Sequence, residues 1–192
     1  TINNGNVFFR NLENEVLFIN KILKMKYYYE PKESKNIFYT DNEVFNIPFS
    51  MKSFLNENKT KIFSKVDLDF INLKIENELS FKNKKKIGKS EFIFNKLKQF
   101  AEYEIENSYF KFLIYDKKDQ PTITYKGNFN LKPFYANLDG YQNEINLNYI
   151  LGSNSIIVQL LKTEIFNKKN LDFKLNINAD NVYKNSNFKN VS

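Results

Sequence analysis

Carboxylates spaced two residues apart are the side chains in this 192-residue sequence whose types and spacing could do chemistry. On a strand, residues i and i+2 lie on one face, so each set would present neighbouring carboxylates. Such pairs bind calcium or act as the acid and base of glycoside hydrolysis. They also decorate the solvated face of a half-buried sheet, and their alternation with apolar neighbours favours that interpretation. The sets are Asp67/Asp69, Glu76/Glu78 and Glu102/Glu104/Glu106.

The absence of histidine and cysteine limits the other chemistry that the sequence could support. It excludes a Ser-His-Asp triad, a thiol nucleophile, a disulfide and the usual kinds of zinc site. Gly88, Gly127, Gly140 and Gly152 are isolated and form no phosphate-binding loop, so we interpret them as turn residues. We therefore predict that this part of the chain is not an enzyme and has no catalytic residues, cofactor or metal site.

The positive charge of the sequence comes almost entirely from lysine. The formal net charge is +7, and Arg10 is the single arginine. Proteins that read nucleic acids depend on arginine for bidentate contacts, so we expect no nucleic-acid partner. The densest run, "KNKKKIGKS" (82–90), could contact anionic lipid headgroups. The pattern favours a solvated hairpin tip, where lysines also discourage edge-to-edge pairing.

Alternation of apolar and polar residues predicts strands along most of the chain. It is clearest in "NLDFKLNINADNV" (170–182), and it recurs over 5–21, 43–55, 101–117, 122–140 and 143–151. Over 65–81 the phase slips at Phe70–Ile71, which predicts a β-bulge within one strand. The connectors are short and rich in Asn, Lys, Asp and Gly, as in an antiparallel meander.

One segment departs from this alternation and predicts a short amphipathic helix near residues 154–166. Its apolar stripe consists of Ile156, Ile157, Leu160, Leu161 and Ile165. A helix about 20 Å long cannot cover ten or so strands. The apolar strand faces therefore leave three architectures open: a two-sheet sandwich, a closed barrel, or a trough that holds an apolar ligand. A sandwich is the usual solution for an all-β chain.

Residues 125–182 resemble the AsmA-like proteins of Gram-negative bacteria. The similarity lies in a "G-x-F-x-L-x-P-F" strand, an "I-N-L-x-Y-I-L" segment, a helical "LL" segment and then "N-L-D-F-K-L-N-I-N-A-D". The first of these motifs contains Gly127, Phe129, Leu131, Pro133 and Phe134. Upstream, "NGNVFFRN" and "KVDLDFINLKIENELSF" are similar to the strands that precede this unit in the family.

The resemblance implies a mainly β fold: an elongated antiparallel meander curled into an open groove with an apolar inner face. It implies that residues 1–192 are a single partial domain, one segment of a longer groove. AsmA-like proteins are anchored in the inner membrane, extend into the periplasm and are implicated in phospholipid transport and outer-membrane biogenesis. We accordingly expect a periplasmic, non-enzymatic, lipid-conducting segment whose partners are phospholipid acyl chains and whose membrane anchor lies outside these residues.

The groove hypothesis assigns a lining role to the inward apolar side chains of the predicted strands. The alternative is a closed β-sandwich that serves adhesion or carbohydrate binding, in which the same side chains are buried in protein. An enzyme would require a deep pocket with convergent carboxylates. The residues predicted to line the groove are Val66, Leu68, Phe70, Phe129, Leu131, Ile145, Leu147, Leu171, Phe173, Leu175 and Ile177.

Overall fold

A computed structural model describes residues 1–10, 14–82, 85–94, 97–117, 123–131, 133–152, 171–184 and 187–191, together with the single positions 158 and 162. The described strands form one 13-stranded sheet in which the order across the sheet is the order along the chain. The two outermost strands, β1 and β13, do not pair with each other, so the described sheet is open. The mainly β class predicted from the alternation is confirmed.

The strands follow one another along the described parts of the chain. Their bounds are β1 Ile2–Arg10, β2 Val16–Glu30, β3 Lys35–Val44, β4 Ile47–Leu55, β5 Lys61–Leu68, β6 Leu73–Lys82, β7 Lys85–Phe94, β8 Leu97–Glu106, β9 Tyr109–Tyr115, β10 Ile123–Leu131, β11 Phe134–Asn146, β12 Leu171–Tyr183 and β13 Asn187–Val191.

One strand pair departs from the predicted antiparallel meander. β11 and β12 run parallel, in a register that joins Phe134 to Leu171 and Asn146 to Tyr183. The other neighbouring pairs in the described sheet are antiparallel. A parallel pair needs a crossover of a dozen or more residues. The chain between Asn146 and Leu171 has that length, so the purely antiparallel prediction was wrong at this point.

The predicted β-bulge at Phe70–Ile71 was also wrong, because the chain reverses there. A 3-10 helix, Asp69–Ile71, joins β5 to β6, and Leu68 pairs directly with Leu73. Asn72 ends this turn with a φ of 53°, and its N–H donates to the Asp69 carbonyl over 3.1 Å. Asparagine tolerates this left-handed conformation, which explains the residue type at that position.

A second unexpected turn divides the predicted strand over 43–55. Phe45 and Asn46 have φ values of 53° and 59°, and the flanking residues Val44 and Ile47 pair across the turn. Two consecutive positive φ angles are typical of the tight turn that matches the twist of an antiparallel hairpin. Sequence alternation continues through these residues, so it gave no sign of the turn.

The helix predicted near 154–166 lies outside the described residues except at positions 158 and 162. A five-residue helix, α1 Leu147–Leu151, is described just before it. The Asn146 side chain accepts a hydrogen bond of 2.9 Å from the Asn148 N–H and so caps α1. The strand predicted over 143–151 therefore ends at Asn146. Within the described residues, no helix combines the length and the apolar character needed to cross a membrane.

Candidate functional site

The strand register divides the sheet into two faces of different chemistry. Val66 pairs with Met51 and Ile75, and Ile75 pairs with Phe92; we call the face that carries these residues the apolar face. The neighbouring residue Lys65 pairs with Lys52 and Glu76 on the other side of the sheet, which we call the charged face. Because side chains alternate along a strand, each register row assigns its residues to one of the two faces.

The apolar face continues over the later strands. One register row joins Phe110, Phe129, Ala136 and Phe173 across β9 to β12. The rings of Phe110 and Phe129 stack with centroids 4.5 Å apart, and the rings of Phe134 and Phe173 lie 5.3 Å apart. The face therefore presents aliphatic side chains on β4 to β6 and aromatic rings toward β12.

Side chains on the apolar face are covered mainly by one another. Within the described residues no second sheet lies over them, and extensive contacts between strands join only sheet neighbours. Val66, Leu68 and Phe129 are half-buried, whereas Phe173 is 43% exposed and Leu175 is 58% exposed. Exposed apolar side chains on a face that carries no second sheet in the described part of the chain make that face a candidate binding surface.

The charged face carries a network of cross-strand ion pairs. Lys65 Nζ lies 2.6 Å from Glu76 Oε1, Lys85 Nζ lies 2.6 Å from Glu104 Oε1, and Lys89 Nζ lies 2.9 Å from Glu102 Oε1. The hydrogen bonds from Lys65 to Glu76 and from Lys89 to Glu102 raise the pKa of each lysine above its ordinary value. Lys85 and Lys89 belong to the predicted hairpin tip but lie within β7.

This network explains the carboxylates spaced two residues apart. Glu76 and Glu78 each pair with a lysine on β5, and Asp67 lies 3.7 Å from Lys74. Among the described residues, no group of three or more Asp or Glu side chains is placed to hold a metal ion. The interpretation of these carboxylates as the solvated face of a sheet is confirmed for the sets on β6 and β8.

Six of the eleven residues predicted to line a groove have side chains on the apolar face according to the register. Leu131 and Leu171 occupy register positions of the same face, each paired with Phe134. The six are Val66, Leu68, Phe129, Phe173, Leu175 and Ile177.

The structure places the other three predicted lining residues elsewhere. Phe70 lies in the 3-10 helix and is 38% exposed, because the chain turns before it. Gln142 and Ala179 are register partners on the apolar face. Ile145 lies three residues after Gln142, and its partner Val182 lies three residues after Ala179, so both lie on the opposite face. Leu147 lies in α1 and not on a strand. Their assignment to one common strand face was wrong.

The interpretation of three glycines as turn residues was wrong, because they lie within strands on the apolar face. Gly88, Gly127 and Gly140 lie inside strands, each directly opposite an aromatic residue: Tyr103, Phe112 and Tyr125, respectively. A Cβ atom at Gly127 would lie 2.6 Å from Phe112 Cζ and 2.5 Å from the Asn137 carbonyl oxygen. Each ring therefore lies across the backbone of the adjacent strand. Glycine within an alternating strand was the available signal.

A short row of polar side chains interrupts the apolar face. Ser53, Ser64, Asn77 and Ser90 are register partners on β4 to β7. Ser53 Oγ donates to Ser64 Oγ over 2.9 Å, and Ser90 Oγ donates to Asn77 Oδ1 over 2.7 Å. Tyr103 Oη also donates to Asn77 Oδ1, over 2.6 Å. Burial raises the pKa of Tyr103, although its bond to Asn77 opposes the shift.

The charged face contains an open depression of about 610 Å³. Phe54 and Phe63 stack at one end with ring centroids 5.3 Å apart, and Phe100 and Tyr115 stack at the other with centroids 5.9 Å apart. The Lys65–Glu76 and Lys89–Glu102 pairs lie among its lining residues. Lys35 Nζ lies 4.4 Å from the centroid of Phe54. Phe100 is only 9% exposed, and Lys98 Nζ lies 5.5 Å from its centroid.

Comparison of the chain with protein-family models, with curated proteins and with solved structures gives no match.

Proposed function

We propose that this chain is a non-enzymatic, lipid-binding segment of an AsmA-like β-groove that conducts phospholipids between the inner and outer membranes. The observation that carries the proposal is the apolar face, which runs from β4 to β12 without a second protein layer over it in the described residues. In this proposal the sheet curls so that the apolar face becomes the inside of a groove. The charged face then meets water, as its exposed ion pairs allow.

The hydrophobic effect gives the apolar face its affinity for acyl chains. Covering apolar surface stabilises a complex by about 25 cal/mol per Å², or about 2.5 kcal/mol for every 100 Å². Leu175, for example, is 58% exposed, so an acyl chain that contacts it would remove apolar surface from water. Side chains supply the contact without any reaction, so an acyl chain could move from one register row to the next.

The proposal fits a protein that works in the periplasm and is tethered to the inner membrane by a segment outside these residues, with a role in outer-membrane biogenesis. Those features are what the resemblance to AsmA-like proteins implies. Flanking sequence that contains a membrane-spanning helix and further alternating strands would support them. A flanking sequence that folds as a second sheet over Val66 and Leu175 would oppose them.

Site-specific photo-crosslinking tests which face binds lipid. Benzoylphenylalanine replaces Val66 or Leu175 on the apolar face, and Lys65 or Lys174 serves as the matched neighbour on the charged face. We expect lipid to be captured from cells at Val66 and Leu175 and not at Lys65 or Lys174, as read by mass spectrometry of the adducts. Capture at the lysine positions alone would contradict the proposal.

Carbohydrate binding is the second candidate, and the depression on the charged face favours it. Its paired rings and ionised side chains could contact the apolar and hydroxyl faces of a sugar. This alternative was expected in a closed β-sandwich, whereas the described strands form one open sheet. Glycan-array binding that is lost in the Phe63→Ala variant and kept in the Val66→Ala variant would favour it over lipid binding.

A further inference from the structure

We propose that the polar row Ser53–Ser64–Asn77–Ser90 binds the ester carbonyl groups of a diacyl lipid. This inference rests on the lipid-binding function proposed above and names the part of the ligand that the row recognises. The row crosses four strands of the apolar face, from β4 to β7, a distance of about 14 Å at the usual strand spacing. It is long enough to meet the linkage region of one lipid.

The position of the row makes it a recognition element within an otherwise hydrocarbon-like surface. On one side lies the register row Leu55, Ile62 and Leu79, and on the other lies the row Met51, Val66 and Ile75. Acyl chains that cover these two rows would also cover the polar groups between them. Covering a polar group without a hydrogen-bond partner costs free energy, so an occupant with acceptors at that position is favoured.

The hydrogen bonds within the row determine which kind of group it can accept. Asn77 Oδ1 receives hydroxyl donors from Ser90 and Tyr103, which together use its two lone pairs. The Asn77 Nδ2 group has two N–H donors, so the remaining hydrogen-bonding capacity of this side chain favours an acceptor. Ester carbonyl oxygens are acceptors only, and a diacyl lipid carries two of them where its chains begin. A hydrocarbon or an ether-linked lipid lacks these oxygens.

A matched pair of lipids tests the assignment. Dioctanoyl phosphatidylcholine and its dioctyl ether analogue have the same headgroup and chain length and differ only in the two carbonyl groups. We expect the purified chain to bind the diester about fivefold or more tightly than the diether, the change that one net hydrogen bond produces. Native mass spectrometry below the micellar concentration gives both affinities.

The Asn77→Asp variant removes the Nδ2 donors and retains an acceptor for Ser90 and Tyr103. We expect it to lose the preference for the diester while its affinity for the diether stays within about twofold. Asn77→Leu also removes the donors but introduces no charge, and we expect it to lose the preference for the diester as well. Circular dichroism reports whether each variant folds. Ser80→Ala, which removes a hydroxyl from the charged face of the same strand, should keep the preference.

The outcomes separate this inference from the function on which it rests. Equal binding of the two lipids by the unaltered chain would overturn the role of the polar row and leave lipid binding intact. A diester preference that persists in Asn77→Asp and Asn77→Leu would overturn it as well. Failure of both lipids to bind would overturn the lipid-binding function together with this inference.

Discussion

At the scale of single residues, the strand glycines of the apolar face are constrained by space and not by backbone conformation. No glycine in the described residues has a positive φ, so another residue could adopt the backbone at each position. What excludes a side chain is the ring that lies over the glycine. At Gly127 the adjacent backbone also excludes one, because a Cβ atom would lie 2.5 Å from the Asn137 carbonyl oxygen.

The Gly127→Ala variant should therefore be destabilised by about 1–3 kcal/mol, the usual cost of overpacking. Urea unfolding measures the change. Gly5→Ala is the matched control, because a Cβ atom there meets its nearest neighbours at 3.7 Å, an ordinary contact distance. We expect Gly5→Ala to change stability by less than about 0.5 kcal/mol. Equal effects at the two positions would contradict this account of the rings.

Tyr103 makes a second residue-level prediction, which concerns pH. Burial raises its pKa above the ordinary value of 10.0, because the charged tyrosinate is disfavoured there. A folded-state pKa above the unfolded one contributes stability that is complete below the unfolded pKa and is lost as pH rises through the folded pKa. The unaltered chain should therefore lose stability above about pH 10 more steeply than Tyr103→Phe.

Unfolding by urea between pH 7 and 11 measures this difference. At pH 7 the Tyr103→Phe variant should be less stable by about 1 kcal/mol, because it lacks the hydrogen bond to Asn77. The gap should narrow above about pH 10. Titration of Lys65 and Lys89, whose pKa values are also raised, is common to both proteins and cancels from the comparison. A gap that is independent of pH would refute the role of Tyr103 ionisation.

At the scale of elements, the 3-10 helix Asp69–Ile71 fixes the hairpin between β5 and β6. Its Ile71 side chain is only 3% exposed, whereas the adjacent Phe70 is 38% exposed. We expect Ile71→Ala to cost about 2–5 kcal/mol, the range for a large-to-small change in a packed site. Phe70→Ala should cost clearly less, although it removes the larger side chain. Thermal or urea unfolding of the two variants decides whether Ile71 is the anchor.

Strand alternation predicted the elements well where it continued without interruption, and it failed where the chain reversed inside an alternating segment. In β12, Phe173, Leu175 and Ile177 alternate with polar residues, and these three apolar side chains lie on one face as predicted. At Phe45–Asn46 the alternation continues through the turn, so the sequence showed no boundary. At Phe70–Ile71 the alternation slips in phase, but the slip marks a chain reversal and not the predicted bulge. A reversal is set by φ angles of one or two residues, which composition reports weakly.

The candidate site was likewise predicted correctly within uninterrupted strands and incorrectly elsewhere. Val66, Phe129 and Leu175 were grouped correctly because each lies in an uninterrupted strand whose phase fixes its face. Ile145 was misplaced because 143–151 was predicted as a separate strand, whereas β11 continues from Phe134 to Asn146 and its phase puts Ile145 on the face opposite to Phe134. The polar row and the glycine–aromatic pairs depend on register between strands and were not predicted.

At the scale of the whole molecule, an apolar face that no second sheet covers in the described residues tolerates a charged side chain where the interior of a sandwich would not. Leu175 is 58% exposed on the apolar face, so Leu175→Glu should change stability by less than about 1 kcal/mol. Ala179 lies on the same face of the same strand but is 5% exposed, and Ala179→Glu should be severely destabilising. Urea unfolding compares the two. A large loss in Leu175→Glu would indicate a protein layer over β12.

The sequential strand order also determines how cooperatively the molecule opens. Each strand contacts chiefly the two strands beside it. The stability of the sheet is therefore approximately a sum of nearest-neighbour terms between strands. Fraying can begin at either margin and stop part-way, leaving the interior intact. Amide hydrogens should then exchange in a gradient from the margins toward β5–β7, and not as one block. Such graded opening would allow one margin to loosen and re-form while the rest of the sheet keeps its shape.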